Sequence, residues 1–177
     1  MNAVVLCPLR IEAAAVGGAR VTGLGPERAR RVDLGDADAV AVAGFCGAVD
    51  PDLRAGDVVL ATEVRSTDGS RSCLADPELV ARLRGQSLRV RTGPVHSGSR
   101  ILGPDAREAL RASGVVAVDM ESFWLAEAAN GRPVTVLRVV VDTAGRRLLR
   151  PGTLLAGARA VRSLRRAGTA LREGLPF

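Results

Sequence analysis

The sequence predicts an α/β fold, with helices on both faces of a mostly parallel sheet. Three observations carry this expectation. Short apolar runs that read as strands alternate with segments that read as helices, most regularly in the second half of the chain. The apolar fraction is 47%, supplied by Ala, Val and Leu, with no Tyr, one Trp and three Phe; such an aliphatic set suits strands buried on both faces. No apolar run approaches the roughly 20 residues that a membrane helix needs.

The elements follow in order. Residues 3–7 read as a first strand. Residues 8–16 hold a helical turn, with Glu12 just inside it, broken by Gly17-Gly18. Residues 20–24 read as a second short strand ending in Gly23-Leu24-Gly25, and Pro26 suits the first turn of a short helix over 27–32. Residues 39–43 form an apolar strand running into Gly44-Phe45-Cys46-Gly47, where the glycines suggest a turn. Another strand covers 57–64, and the polar stretch 66–72 reads as a loop. Asp76 caps a helix through Leu83, with Pro77 at its first position and Glu78 near its positive end. A strand over 87–94 precedes a helix over 104–112 with Gly114 just past its end. The strand 115–118, the helix 121–129, the long buried strand 133–141 and a last helix over 153–171 complete the chain. No repeat and no linker divides it, so residues 1–177 are read as one domain of ordinary size.

Composition narrows the function classes. The net charge is +6, and every basic residue is Arg. Eight arginines after residue 145 face only Glu173, so the rest of the chain is near neutral. This reads as a solvated basic last helix, and no nucleic-acid partner is expected. In that helix Leu154, Leu155, Ala158, Val161 and Leu164 fall on one side at helical spacing, with Arg159, Arg162, Arg165 and Arg166 mostly elsewhere. The pattern leaves room for weak membrane contact, although packing of the apolar side on the sheet is the favoured reading. Cys7, Cys46 and Cys73 are scattered, which argues against a disulfide framework or a zinc site. The first residues read as a strand rather than a leader, so a cytoplasmic location is the expectation.

Ligands of α/β sheets gather at the carboxyl ends of the strands. Glu12 follows the first strand, Asp119-Met120-Glu121 follows strand 115–118, and Asp142 follows strand 133–141. Carboxylates in unlike environments can divide acid and base roles. Taken singly, each reads more readily as a helix cap, and each glycine as a turn former.

The motifs together say more. Gly44-Phe45-Cys46-Gly47-Ala48-Val49 followed by Leu53-Arg54-Ala55-Gly56-Asp57-Val58-Val59 resembles the strand-turn-strand signature of the purine nucleoside phosphorylase/nucleosidase family. That family includes the methylthioadenosine/adenosylhomocysteine nucleosidases. Val118-Asp119-Met120-Glu121-Ser122 resembles its ribose-binding motif, and residues 137–144 the strand ending in its catalytic Asp. Thr22-Gly23-Leu24-Gly25 resembles its second Gly-rich turn, and Glu12 stands where the nucleosidases place the Glu that activates water. The motifs appear in family order from residue 3 to residue 145.

The resemblance implies a three-layer αβα sandwich with a central mixed, mostly parallel sheet, trimmed in its N-terminal half because the stretch from Glu12 to Gly23 is short. It implies cleavage of the N-glycosidic bond of a purine, adenine-type nucleoside, without cofactor or metal. Asp142 would protonate or share a proton with purine N7. Glu121 would hold the ribose hydroxyls, with Met120 under the sugar, and Glu12 would deprotonate a water. Gly44, Phe45 and Ile101 would complete the substrate site, the region of Ser99-Arg100-Ile101 replacing the aromatic that stacks on the base.

Departures from the family pattern bear on the reaction. Val42 and Phe45 stand at the positions of the phosphate-binding Arg and Ser, and Arg10 lacks the Gly-Asp that precedes another phosphate-binding Arg. Hydrolysis is therefore expected over phosphorolysis. The phenylalanine at the glycine turn and the Val-Asp-Met-Glu-Ser spelling resemble the hopanoid-associated branch, which is linked to removing adenine from adenosylhopane. A homodimer is expected, with Phe123 and Trp124 of helix 121–129 as contact candidates. His96 reads as a plain loop residue. Two other readings stay open: a true phosphorylase, and a non-catalytic protein that keeps the ribose site.

Overall fold

The computed structural model describes residues 2–98, 102–142 and 152–174. They form, in order, β1 (Ala3–Cys7), α1 (Arg10–Val16), β2 (Arg20–Val21), α2 (Pro26–Arg30), β3 (Ala39–Ala48), β4 (Val58–Ser66), β5 (Gly69–Ser72), α3 (Pro77–Gly85), β6 (Val90–Ser97), α4 (Pro104–Ala112), β7 (Ala117–Asp119), α5 (Ser122–Ala128), β8 (Val134–Asp142) and α6 (Gly152–Gly174).

The sheet is mixed and mostly parallel, as the sequence predicts. β1 pairs in parallel with β2 and β3, β3 with β8, β4 with β6, and β6 with β7. Antiparallel pairs join β3 to β7, β4 to β5 and β4 to β8. Because β8 bridges β3 and β4, the strands β3, β7, β6, β4 and β8 close into a ring, and β2 and β5 are left as the ends of the sheet.

Side chains alternate across a strand with period two, and here the alternation sorts them into two cores. Val40 and Val42 of β3 and Val136 and Val140 of β8 pack with Phe123 and Leu125 of α5 and Ala29 of α2. Ala41, Ala43, Leu137 and Val139 face the other way, under Val16 of α1, Leu83 of α3 and Leu164 and Leu171 of α6. Those are the outer layers of the sandwich. α4 stands on a small cluster of its own, where Leu110 meets Val49, Val115 and Val118.

Several elements differ from their sequence reading, each for a physical reason. The glycine segment after residue 43 is not a turn: β3 runs straight through it, held by β8 on one side and β7 on the other. The polar stretch read as a loop contains β5, an edge strand whose four residues are all exposed and so need no apolar pattern. β6 starts three residues later than read, because Ser87 adopts φ +60 where α3 ends. His96 accordingly lies on a strand rather than a loop. The cap at Asp76 is as read: its carboxylate accepts the Glu78 N–H at 2.9 Å.

Two readings of surfaces are corrected. Phe123 and Trp124 are not exposed contact candidates; both are buried against the sheet, and the Trp124 indole N–H donates to Asp68 Oδ2 at 3.0 Å. The inward face of α6 is Ala160, Leu164, Ala167, Ala170 and Leu171, rotated from the stripe read in sequence, and Leu155 is 77% exposed. The helix chooses the face whose small alanines let it lie close to α1 and α3. At Gly168 the approach is close: a Cβ there would stand 2.7 Å from the Val16 Cα. Arg159, Arg162, Arg165 and Arg166 point to solvent. Among the described residues no helix is long and apolar enough to cross a membrane.

Candidate active site

Glu12 sits in the first turn of α1, where a carboxylate can reach back to the free N–H groups that open a helix. Its Oε2 accepts the Leu9 N–H at 2.7 Å, and its Oε1 accepts the Phe45 N–H from β3 at 2.7 Å. The residue is 2% exposed. Burial pushes its carboxyl above the ordinary carboxylate value; the Arg138 guanidinium and the two N–H donors pull it back only in part.

The close approach of β3 depends on Gly44, which pairs with Arg138 of β8. A Cβ on Gly44 would lie 2.5 Å from Arg138 Nη1 and 2.6 Å from Glu12 Oε1. Only a residue without a side chain leaves both ions their places.

Arg138 is wholly buried in the middle of an apolar strand. A buried charge persists only when paired and hydrogen-bonded. Its Nε lies 2.8 Å from Asp119 Oδ2, and its Nε and Nη2 donate to Ser122 Oγ at 2.9 and 2.7 Å. Ser122 Oγ in turn donates to Asp119 Oδ2. The Ser97 hydroxyl donates to Asp119 Oδ1 at 2.5 Å and accepts the Phe123 N–H at 2.9 Å. Asp119 Oδ1 also takes the N–H groups of Glu121 and Ser122. One carboxylate thus fixes the start of α5, and with it the backbone that presents Met120 and Glu121. Arg138 Nη1 finds no partner among the described residues and stays at the gap left by Gly44.

Glu121 is buried, and its Oε1 accepts the Gly25 N–H at 3.3 Å. Gly25 holds φ +88 just before α2, a conformation that favours glycine and aims its N–H across the site. Burial raises the Glu121 carboxyl; Arg138 opposes this, and Asp119 and Glu12 add to it.

Asp142 closes β8 at an irregularity. The register passes from Cys46↔Val140 to Gly47↔Asp142, so Val141 is an extra residue, a bulge of the kind that re-aims a side chain. Asp142 Oδ2 lies 2.8 Å from Arg107 Nη2 of α4, and Arg107 Nη1 donates to the Ala48 carbonyl at 3.1 Å.

Glu12, Phe45, Met120, Glu121 and Asp142 all border one cavity of about 240 Å³, with Leu24 and Arg107 also at its wall. Gly44 is not part of that wall; it lies behind Glu12, against Arg138. Ile101 falls outside the described residues, as do Ser99 and Arg100, while the neighbouring Leu102 borders the cavity. Cys46 borders it too, but burial raises its thiol, which keeps it neutral. His96 is not at the wall, and burial lowers its imidazole pKa. No group of residues that could hold a metal ion occurs among the described residues.

Two participants escaped the sequence reading as actors, Arg107 and Arg138, while Asp119, read only as part of the motif after strand 115–118, turns out to anchor both the start of α5 and Arg138. Arg138 carried a signal, a lone charge within Val-Leu-Arg-Val-Val, which must have a buried counter-ion if the strand is central. Arg107 carried none, being one of two arginines on a short, largely polar helix.

A mixed sheet closed through β8, flanked by helices and carrying carboxylates at its strand ends, defines an α/β protein with one cavity where such folds place small-molecule sites. The family model described as the Phosphorylase superfamily matches residues 21–173, and the chain belongs to that superfamily. Solved structures share the fold at low sequence identity. The Campylobacter jejuni 5′-methylthioadenosine/S-adenosyl homocysteine nucleosidase (MTAN) is 15% identical with a TM-score of 0.78, covering 98% of this chain and 97% of its own. A mutant MTAN of Helicobacter pylori with 5′-methylthioadenosine in its active site is 16% identical with a TM-score of 0.76, covering 97% and 96%. The Streptococcus pyogenes S-adenosylhomocysteine nucleosidase, in complex with 5-methylthiotubericidin, is 20% identical with a TM-score of 0.75, covering 100% and 98%. No curated protein sequence matches the chain significantly.

Proposed function

We propose that the protein hydrolyses the N-glycosidic bond of an adenine-type purine nucleoside. The carrying observation is that Glu12, Glu121 and Asp142, from three separate elements, border one cavity while burial raises the carboxyls of the first two. As the bond from ribose C1′ to N9 breaks, its electron pair goes to the base. Asp142 delivers or shares a proton at N7, which makes the base a better leaving group; such acid catalysis is worth roughly 10²–10⁴-fold. The sugar becomes cation-like, and the neighbouring carboxylates stabilise it. Glu121 accepts hydrogen bonds from the ribose hydroxyls, and Met120 packs against the ring. A water attacks C1′ and gives its proton to Glu12. A carboxyl whose pKa is raised by burial is a stronger base than an ordinary one, and Arg138, buried behind it at the Gly44 gap, offsets part of its charge once it is ionised. Free base and free ribose are the products.

Water rather than phosphate is the acceptor in this reading. Val42 is wholly buried and Phe45 borders the cavity, so neither offers an anion a donor side chain. Arg107, the cation at the described wall, is committed to Asp142. The H. pylori neighbour holds 5′-methylthioadenosine in its active site, which supports an adenine nucleoside. Leu9 and the half-exposed Leu24 give the cavity an apolar wall, which suits an apolar group on the ribose 5′ carbon, such as the hopanoid of the branch the sequence resembles.

The test is chromatography of free base from several purine nucleosides, with and without phosphate. Base and ribose released without phosphate are expected. Release only with phosphate, yielding ribose 1-phosphate, refutes hydrolysis. Adenine binding without turnover of any nucleoside refutes catalysis.

A further inference from the structure

We propose that Arg107 is a positioning residue for this reaction: it holds Asp142 by Oδ2 and so leaves Oδ1 as the oxygen that meets the base. The proposal rests on the nucleosidase reading above and adds a residue to it. Three features of the fold converge on the contact. The bulge at Val141 sets Asp142 opposite Gly47 instead of letting it follow the strand's alternation. Gly47 provides a surface without a side chain, and a Cβ there would stand 3.2 Å from Arg107 Nη2 and crowd it. The guanidinium lies over that surface and spends its fork on two acceptors from two strands, Ala48 O on β3 and Asp142 Oδ2 on β8. A lysine offers one point charge and cannot span both.

The pair is four-fifths shielded from solvent, with side-chain exposures of 15% and 16%. Asp142 Oδ1 has no hydrogen-bond partner among the described residues. Without Arg107, no described residue would hold either oxygen of Asp142. A fixed carboxylate presents one oxygen to N7 in one direction, and a displacement of about 1 Å from such a direction costs on the order of 10²-fold in rate. Arg107 also ties α4 to the sheet ends. A merely structural role would show in stability and leave turnover of the folded protein intact.

The experiment compares wild type with Arg107→Ala, Arg107→Lys, Asp142→Asn and the Arg107→Ala/Asp142→Asn double variant, measuring kcat and KM for base release beside thermal melts. Expected is a kcat loss of about 10- to 100-fold for Arg107→Ala, with KM changed less than about threefold. Arg107→Lys should recover part of the loss. Millimolar guanidinium should restore Arg107→Ala and do nothing for Asp142→Asn. The double variant should be no slower than Asp142→Asn alone, because the arginine acts only through that carboxylate. Additive losses, or an Arg107→Ala protein that melts lower but turns over at the wild-type rate, overturn the role of Arg107 and leave the nucleosidase reading standing. Wild type that releases no base overturns that reading and this proposal together.

Discussion

Replacing Gly44 with alanine adds one methyl group at a place where two buried ions already meet. The new Cβ would lie 2.5 Å from Arg138 Nη1 and 2.6 Å from Glu12 Oε1, where ordinary contacts begin near 3.4 Å. Something must move by most of an ångström. Arg138 is held by Asp119 and Ser122, and Glu12 by the N–H groups of Leu9 and Phe45. Forcing an extra methyl into a packed site costs about 1–3 kcal/mol. Pulling a buried carboxylate off one N–H costs about 1.5–3 kcal/mol more. A loss on the order of 4 kcal/mol lowers Tm by roughly 8–16 °C in a protein of this size. Gly157 of α6 provides the control: a Cβ there meets nothing within 4 Å, and alanine should stabilise the helix by about 0.5–1 kcal/mol. Calorimetry reads both. Base release from the Gly44→Ala protein should fall by about 10²-fold as Glu12 shifts. A Gly44→Ala protein melting within 2 °C of wild type, that is within about 1 kcal/mol, would show that the ions are not packed as described.

Three further outcomes follow from the charges. Glu12 works as a base only when ionised, and burial raises its carboxyl; the acid limb of kcat/KM against pH should therefore lie above the ordinary 4.5, and a limb below it counts against Glu12 as the water's base. Glu121, raised from 4.5, binds its proton more tightly folded than unfolded, so its contribution to stability is full below that value and declines as pH rises through the raised one. Glu121→Gln should accordingly gain stability relative to wild type as pH rises above 4.5, and a gain that is flat or reversed across Tm measurements refutes the assignment. Because α6 turns its apolar side inward and exposes Arg159, Arg162, Arg165 and Arg166, anionic vesicles should retain the protein weakly at low salt and release it near 0.15 M, where charges more than about 8 Å apart are screened; retention unaffected by salt would mean that apolar residues insert.

The layers of this fold were legible because periodicity survives burial. The runs Val40–Ala43 and Val134–Val141 announce central strands, and Asp76-Pro77-Glu78 announces a helix start. What was hidden is long-range. That β8 bridges β3 and β4 depends on which hydrogen bonds close in space, and the local patterns of the three strands say nothing of it. Glycine misled for a related reason: Gly44 and Gly47 look like turn residues, yet both lie in extended backbone, and they are small because arginines from distant segments lie against them. The face of α6 was misread because alanine carries little hydrophobic signal. Ala160, Ala167 and Ala170 are the buried side, and the larger Leu155 is the exposed one. The carboxylates around the cavity could be singled out from their places after strands, but Arg107 came into view only with the geometry.

The closed path of the strands also bears on how this chain avoids its own kind. A sheet rich in Val and Ala would template edge-to-edge polymerisation if its long central strands ended in free amides and carbonyls. Here each long strand has neighbours on both sides, and the two terminal positions go to β2, of two residues, and β5, of four. β5 is polar throughout, with Arg71 between serines, β2 exposes Arg20 beside a single Val21, and all of β2 and β5 is solvated. The long apolar runs are therefore guarded by topology: residues 39–43 carry no charge of their own, and residues 134–141 carry only the buried Arg138. Their hazard is confined to the moments before the ring closes, during synthesis or after partial unfolding.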